Sequence, residues 1–119
     1  PTEIYTLSLH DALPISPEEK AKVYTNTTLG IIATNAKLDK AGATKVAQMA
    51  QDGFARAINP IHTMYDGDTI FCMATGEVEA DLTILGVIAA EVMARAIIKG
   101  IKASTSLFGI PAHRDLFKA

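Results

Sequence analysis

Residues 26–35 read NTTLGIIATN, and they combine the start of the first predicted strand with the first candidate site. A short polar segment runs directly into a β-branched apolar run, a pattern that predicts a buried strand from Thr27 to about Asn35. Two threonines stand at its first positions, and threonine is common in strands, so β-branched filler is the simpler interpretation of the pair. The alternative is that Thr27 is a nucleophile that becomes a new N-terminus when the Asn26–Thr27 bond is cut.

An N-terminal threonine carries its own base. The α-amine of an unstructured peptide has a pKa of about 7.7–8.0, so it can accept the hydroxyl proton near neutral pH. Thr27 is therefore the candidate nucleophile, and Asn26–Thr27 is the candidate processing site. Cutting that bond requires an accessible backbone, and residues 17–26, PEEKAKVYTN, predict one helical turn or a solvated linker before it.

Composition bounds the class of protein. The 119 residues suffice for one domain with a modest core, and 49% hydrophobic with 20% charged residues is a globular composition. A net charge of −2 gives no basic surplus for nucleic acid or an anionic membrane, and no apolar run is long enough to span a bilayer. Cys72 is the single cysteine, which excludes an internal disulfide and fits a reducing compartment. We therefore expect a cytoplasmic protein without nucleic-acid or membrane partners.

The first sixteen residues differ in character from the rest. Their sequence, PTEIYTLSLHDALPIS, resembles a translated sequencing-adapter read-through that recurs at the ends of metagenomic open reading frames. We expect residues 1–16 to be a non-native tail rather than a genuine strand, and the chain to be an N-terminally truncated fragment. His10 and Asp11 are accordingly assigned no role.

The remaining residues predict a β-α-β-α order. After the first strand, residues 39–58 predict a helix capped by Asp39, residues 69–75 a second strand that Gly76 ends, and residues 80–103 a long helix. Both strands lack polar alternation, so a sheet covered on each face is expected. Two strands cannot close a core alone, which predicts that partner strands come from elsewhere.

The long helix and the tail carry further expectations. Glu91 and Arg95 lie four residues apart on a narrow polar stripe, which suits a surface ion pair, and the rest of the helix is apolar. Such a helix is buried or lies in a subunit interface. In residues 104–119, Gly109 and Pro111 predict irregular structure, with Arg114 and Asp115 exposed for docking.

The second candidate site is the loop Asp66-Gly67-Asp68. Asp-Gly is a common turn pair, so a purely structural interpretation exists. Two carboxylates fall short of a Ca²⁺ loop, and the sequence has neither zinc spacing nor a phosphate loop, so neither metal nor cofactor is predicted. The functional interpretation places Asp66 and Asp68 opposite Thr27 on adjacent strands, where they would orient the α-amine and hold the hydroxyl.

Two other reactive side chains receive structural interpretations. His62 precedes the loop and could act as a general base, but an unpartnered histidine in an apolar context is more often structural. Cys72 lies between Phe71 and Met73 in an apolar strand, which favours an inert buried thiol over a nucleophile.

The run from NTTLGIIATN to YDGDTIFCMATG resembles the start of the β-subunit in DmpA-type aminopeptidases, and GIPAHRDLF resembles the C-terminal end of that family. The family includes L-aminopeptidase/D-esterases, β-peptidyl aminopeptidases and 6-aminohexanoate-oligomer hydrolases. The resemblance implies an α/β fold, a fragment of a four-layer α/β/β/α sandwich like that of N-terminal-nucleophile hydrolases. It also implies a self-cleaving precursor and assembly into a homo-oligomer.

Carried over to this chain, the resemblance implies Thr27 as nucleophile, Asn26–Thr27 as the processed bond, and Asp66 and Asp68 as supporting carboxylates. Residues 27–119 would be the β-subunit-like portion of the catalytic domain. The family's upstream α-subunit supplies a lysine and an asparagine that would stabilise the oxyanion, so this chain alone is expected to be inactive or weakly active. Gln51 and His113 depart from the His and Tyr that the family often has there.

The sequence thus predicts a self-processing N-terminal-threonine hydrolase that acts on a peptide or another small amide. The alternatives are a non-catalytic subunit whose helix 80–103 serves assembly, and an acyltransferase relative with the same type of nucleophile. The substrate stays open among L-, D- and β-peptides and nylon oligomers.

Overall fold

The computed structural model describes residues 26–117. The expected tail at 1–16, with His10 and Asp11, and the linker residues 17–25 lie outside this range. The elements are β1 (Leu29–Ala36), α1 (Lys40–Ala57), β2 (Thr69–Val78), α2 (Leu82–Ala103) and a short α3 (His113–Leu116). The predicted small α/β architecture with β-α-β-α order is confirmed, and α3 follows it.

The two strands form a parallel pair joined by α1. Leu29 lies opposite Thr69, Thr34 lies opposite Ala74, and the register shifts between Thr34 and Ala36. The prediction that Gly76 ends the second strand is wrong, since β2 continues to Val78. Gly76 has a φ of 81°, which glycine adopts without steric cost, so the strand passes through this position where the register is irregular.

The first helix begins and ends where its sequence predicts. The Asp39 side chain accepts a hydrogen bond from the Gly42 N–H at 2.7 Å, which caps the helix as expected. Its buried face packs on β2 and α2. The core lies between one face of the sheet and the two long helices, and it consists of Ile32, Val46, Ala50, Phe54, Ile70, Ala89 and Met93.

The second helix is less buried than expected. It begins after Asp81, whose side chain accepts from the Ile84 N–H at 2.9 Å, and it packs on α1 through small residues such as Ala89 and Ala90. Within residues 26–117, however, much of its apolar surface remains exposed: Ile84, Val87, Ile88, Val92, Ile98 and Ile101.

The ion pair expected within this helix, between Glu91 and Arg95, is not the one that Glu91 forms. Glu91 lies 3.9 Å from Arg56 on α1, rather than forming an ion pair with Arg95 among the described residues. The reason is that α2 lies against α1, which brings a cation of another helix within reach of Glu91.

The sheet is covered on one face only by the described residues. Leu29, Ile31, Phe71 and Met73 project from the opposite face and are 57–70% exposed. The expected cover on both faces of the sheet is therefore not observed within residues 26–117.

Among these residues, none of the helices is both long and apolar enough to cross a membrane.

The tail is more ordered than predicted. Residues His113–Leu116 form a helical turn instead of irregular structure. Arg114 donates hydrogen bonds to the carbonyl oxygens of Ala103 and Ser104, both at 3.1 Å, so it binds the C-terminal end of α2 while its side chain stays exposed. Asp115 accepts a short hydrogen bond from the Ser106 hydroxyl.

Candidate active site

The two candidate motifs lie side by side at the start of the sheet. Asn26 forms a parallel bridge with Asp66, outside the named strands. The Asn26 N–H donates to the Tyr65 carbonyl at 3.2 Å, and the Gly67 N–H donates to the Asn26 carbonyl at 2.8 Å. These bonds extend the strand pairing backward, so the bond between Asn26 and Thr27 lies beside the Asp66–Asp68 loop.

Gly67 of this loop lies close to the Thr27 hydroxyl. A Cβ atom built on Gly67 would lie 3.0 Å from Thr27 Oγ1 and 3.9 Å from the Asn26 carbonyl oxygen. The first distance is tighter than an ordinary van der Waals contact, so a side chain at this position would press on the hydroxyl. Sequence reasoning treated Gly67 as a turn residue, and no local signal marks its proximity to Thr27.

Asp68 has a largely buried side chain, which is only 4% exposed. Its Oδ1 accepts from the Thr28 N–H at 2.9 Å, and its Oδ2 accepts from the His62 N–H at 3.0 Å. The same Oδ2 lies 2.9 Å from His62 Nδ1. The expected hydrogen bond to Thr27 is not among the bonds of Asp68 within residues 26–117, and its contact is with the next residue, Thr28.

Two opposing effects act on the pKa of Asp68. Burial disfavours the charged carboxylate and by itself would raise the pKa. Hydrogen bonds from the backbone and side chains of His62 and Thr28 favour the carboxylate, and together they hold the pKa below its ordinary value. Asp68 is therefore a negatively charged acceptor at neutral pH.

Asp66 closes its own loop. Its Oδ2 accepts from the Thr63 N–H at 2.8 Å, and its N–H donates to the Thr63 carbonyl at 3.1 Å. Within the described residues it has no hydrogen bond to Thr27, and its bonds to Thr63 hold residues 63–66. Both carboxylates thus flank Gly67 and hold the loop from two sides.

His62 has a partner, which corrects the expectation of an unpartnered histidine. Beyond its contacts with Asp68, its ring stacks on Phe54 with centroids 6.2 Å apart, and Phe54 is itself only 1% exposed. His62 also has a φ of 59°, in the left-handed region that few side chains other than those of Asn, Asp and His tolerate. Because its partner lies six residues along an irregular loop, no helical or strand spacing could have indicated the pair.

The remaining reactive groups contribute little. Cys72 is half-buried on β2, and burial raises the pKa of its thiol, which keeps it protonated and unreactive. Within residues 26–117, no group of three His, Cys, Asp or Glu side chains is arranged to hold a metal ion. The described residues place a threonine hydroxyl, that of Thr27, beside a loop held by the hydrogen bonds of Asp66 and Asp68.

Known proteins have sequences similar to that of this chain. The sequence model of peptidase family S58 matches residues 6–114, a range that begins within the expected non-native tail. A protein of Mycobacterium leprae described as an uncharacterized aminopeptidase is 41% identical over a 107-residue alignment that covers 77% of this chain and 30% of the relative. The corresponding protein of Mycobacterium tuberculosis strain H37Rv is 39% identical, with 77% and 31% covered.

A more distant relative has a more specific description. The 6-aminohexanoate-oligomer endohydrolase of Kocuria is 32% identical over 90 residues, which cover 65% of this chain and 25% of the relative. The chain thus spans less than a third of the length of the curated relatives it matches.

Proposed function

The chain belongs to peptidase family S58, and on that premise we propose that it is part of a self-processing N-terminal-threonine amide hydrolase. Thr27 is the nucleophile, and Asn26–Thr27 is the bond that is cut to release it. The observation that carries this proposal is the pairing of Asn26 with Asp66, since it brings this bond and the Thr27 hydroxyl against the Asp66–Asp68 loop.

Self-processing begins with an attack by Thr27 Oγ1 on the carbonyl carbon of Asn26. The Oγ1–C bond forms, the C–N bond to Thr27 breaks, and the proton lost by the hydroxyl ends on the freed amine. Water then hydrolyses the resulting ester, which leaves the Asn26 carboxylate and a free Thr27. The reaction consumes one water and needs no cofactor.

The freed threonine then acts on substrate. Its α-amine accepts the hydroxyl proton, and Oγ1 attacks the carbonyl carbon of the substrate amide. The substrate C–N bond breaks as the proton passes to the leaving amine, and water then hydrolyses the ester of the acyl-enzyme to release the acid. Asp68 is a positioning residue in this scheme, because it binds the N–H of Thr28 and so fixes the backbone that follows the nucleophile. Asp66 supports the reaction by holding the loop that lies beside Thr27.

We further propose that other chain segments complete the fold and the site. The exposed apolar face of the sheet, at Leu29, Ile31, Phe71 and Met73, supports a four-layer α/β/β/α sandwich in which a second sheet covers it. The greater length of the relatives supports an upstream segment that supplies further catalytic groups, without which this chain is inactive or weakly active. The exposed apolar side of α2 supports assembly of a homo-oligomer.

The substrate proposal follows from the names of the relatives. One group is described as aminopeptidases, and the other as 6-aminohexanoate-oligomer endohydrolases, so the substrate is a peptide or another linear amide. An acyltransferase with the same nucleophile is the alternative, and acyl transfer to an added amine that outruns hydrolysis would indicate it. A non-catalytic assembly subunit would show neither reaction.

Turnover of an amide substrate tests the proposal. In the protein completed by its upstream segment, an aminoacyl p-nitroanilide and a 6-aminohexanoate oligomer should be hydrolysed, and Thr27→Ala should abolish hydrolysis of whichever is cleaved. Thr44→Ala removes an exposed hydroxyl on α1 and is the matched control. Hydrolysis retained in Thr27→Ala would contradict the assignment of the nucleophile.

A further inference from the structure

We infer that the backbone N–H of Gly67 is the hydrogen-bond donor that stabilises the oxyanion formed at Asn26 during self-cleavage. The inference rests on the proposed function, since it concerns the same bond. It assigns a catalytic role to a residue that sequence reasoning treated as a turn glycine. It also separates the donor used in self-cleavage from the groups that act on substrate.

The geometry that carries the inference is a single hydrogen bond. The Gly67 N–H donates to the carbonyl oxygen of Asn26 at 2.8 Å. This oxygen belongs to the bond that Thr27 attacks, so it takes the negative charge when the carbonyl carbon becomes tetrahedral. A hydrogen bond to a charged oxygen is stronger than one to a neutral carbonyl, so the same donor favours the intermediate over the ground state.

The same bond also serves as a rung of the strand pairing, and this is the competing interpretation. The Thr69 N–H donates to the Thr28 carbonyl at 2.9 Å and makes an equivalent rung two residues farther along. The two rungs differ in their chemical setting, because only the first one ends on the carbonyl that precedes the nucleophile. They therefore form a matched pair for experiment.

Glycine at this position lets the donor and the nucleophile approach the same carbonyl. A Cβ on residue 67 would lie 3.0 Å from Thr27 Oγ1 and 3.9 Å from the Asn26 oxygen. The backbone of Gly67 is therefore next to both the attacking atom and the oxygen that receives charge. A larger residue could keep the N–H but would crowd the hydroxyl.

The donor is held in place before the reaction begins. On one side, Asp66 exchanges two hydrogen bonds with Thr63, at 2.8 and 3.1 Å. On the other side, the buried carboxylate of Asp68 is bound by His62 and Thr28. A donor fixed in this way need not reorganise when charge develops, which is the condition for effective electrostatic stabilisation.

The role ends once the ester at Asn26 has been hydrolysed. When Oγ1 attacks, the carbonyl π electrons move onto the oxygen that Gly67 binds, and they return when the C–N bond breaks and the amine takes the proton. After hydrolysis of the ester, Asn26 is no longer bonded to Thr27. We therefore expect that removing the Gly67 N–H slows self-cleavage and spares the later reaction with substrate.

Replacing one amide by an ester tests this prediction. Glycolic acid in place of Gly67 removes the N–H and adds no side chain, and the α-hydroxy analogue of Thr69 removes the matched rung. In the protein completed by its upstream segment, the ester at 67 should slow cleavage after Asn26 by on the order of 100-fold, as loss of an oxyanion donor does elsewhere. The ester at 69 should slow it by less than about threefold.

Infrared spectroscopy of the Asn26 carbonyl, labelled with ¹³C, provides a second readout. In a Thr27→Ala background, which keeps the bond intact, the ester at 67 should shift the carbonyl band to higher frequency, and the ester at 69 should not. Equal slowing by both esters, or an unshifted band, would overturn the inference and leave the proposed function standing. Absence of any cleavage in the parent protein would overturn both.

Discussion

His62 and Asp68 are joined twice, since the backbone N–H and Nδ1 of His62 both lie within 3.0 Å of the same carboxylate oxygen. The other oxygen of Asp68 binds the N–H of Thr28, next to the proposed nucleophile. A chain of contacts therefore leads from the buried ring of Phe54 through His62 and Asp68 to the backbone at the start of β1. These contacts give the site its rigidity, and they can be tested individually.

Substitutions of His62 should separate its backbone role from its side-chain role. Asn tolerates the φ of 59° and keeps a donor near the position of Nδ1, Gly tolerates the φ but has no donor, and Ala has neither advantage. We expect self-cleavage rates in the order Asn, Gly, Ala, with His62→Ala slowed roughly tenfold or more. Equal rates for Asn and Ala in a timed gel assay would contradict a positioning role for the ring.

Asp68 should make the stability of the protein depend on acid pH. Its folded pKa lies below the unfolded value of about 3.9, so its contribution is present above that value and is lost as pH falls through the folded pKa. Asp68→Asn should be less stable than the parent at pH 7 and should lose less stability between pH 5 and pH 2.

Urea denaturation across that pH range measures the effect. Asp52→Asn, which removes an exposed carboxylate from α1, controls for the loss of one negative charge. Parallel pH profiles for the parent and Asp68→Asn would show that the hydrogen bonds to Asp68 do not hold its charge in the folded state.

Gly67→Ala should slow self-cleavage without unfolding the protein. The added Cβ would lie 3.0 Å from Thr27 Oγ1, so the hydroxyl must move, and we expect cleavage to fall by roughly tenfold to 100-fold. Gly100→Ala is the matched control, because nothing lies within 4 Å of its Cβ. That helical substitution should raise stability by roughly 0.5–1 kcal/mol and leave cleavage unchanged.

Both variants can be compared by their melting temperatures and by the fraction cleaved over time. Normal cleavage in a folded Gly67→Ala protein would mean that residue 67 does not constrain the hydroxyl.

The exposed face of the sheet should be needed for the completed fold. Phe71→Ser and Met73→Ser remove apolar side chains that are 57% and 60% exposed among the described residues. If a second sheet covers this face, burial of each side chain contributes about 1.5–3 kcal/mol, and both variants should lower the melting temperature of the completed protein.

The control for this experiment is Met64→Ser, whose side chain is 96% exposed in the loop before the site. It should leave the melting temperature unchanged. If Phe71→Ser and Met73→Ser behave like this control, the proposed sandwich is wrong.

The elements that local sequence determines were predictable. The cap by Asp39, the apolar stripe of α1 and the order of strands and helices depend on residues within a few positions of each other. The prediction that Gly76 ends the second strand is wrong, because a glycine can also let a strand continue through an irregular register. The exposed side of α2 and the outer face of the sheet differ from expectation because the described residues leave them exposed, and in our proposal other chain segments cover them.

The candidate site was predictable only in outline. The NTT and DGD motifs pointed to residues that lie side by side, but the partner of each side chain did not follow from the sequence. Asp68 binds Thr28 and His62 instead of Thr27, and Gly67 lies close to the Thr27 hydroxyl. These contacts arise where the loop before β2 folds back on the start of β1, and no spacing along the chain encodes that closure.

We propose that Thr27 frees itself by cutting the Asn26–Thr27 bond. The intact mass of the protein completed by its upstream segment reports this cleavage, with Thr27→Ala and Thr28→Ala measured in parallel. We predict two fragments that divide after Asn26 in the parent and in Thr28→Ala, and a single uncut mass in Thr27→Ala. An uncut parent, or cleavage at this bond that persists in Thr27→Ala, would contradict the account.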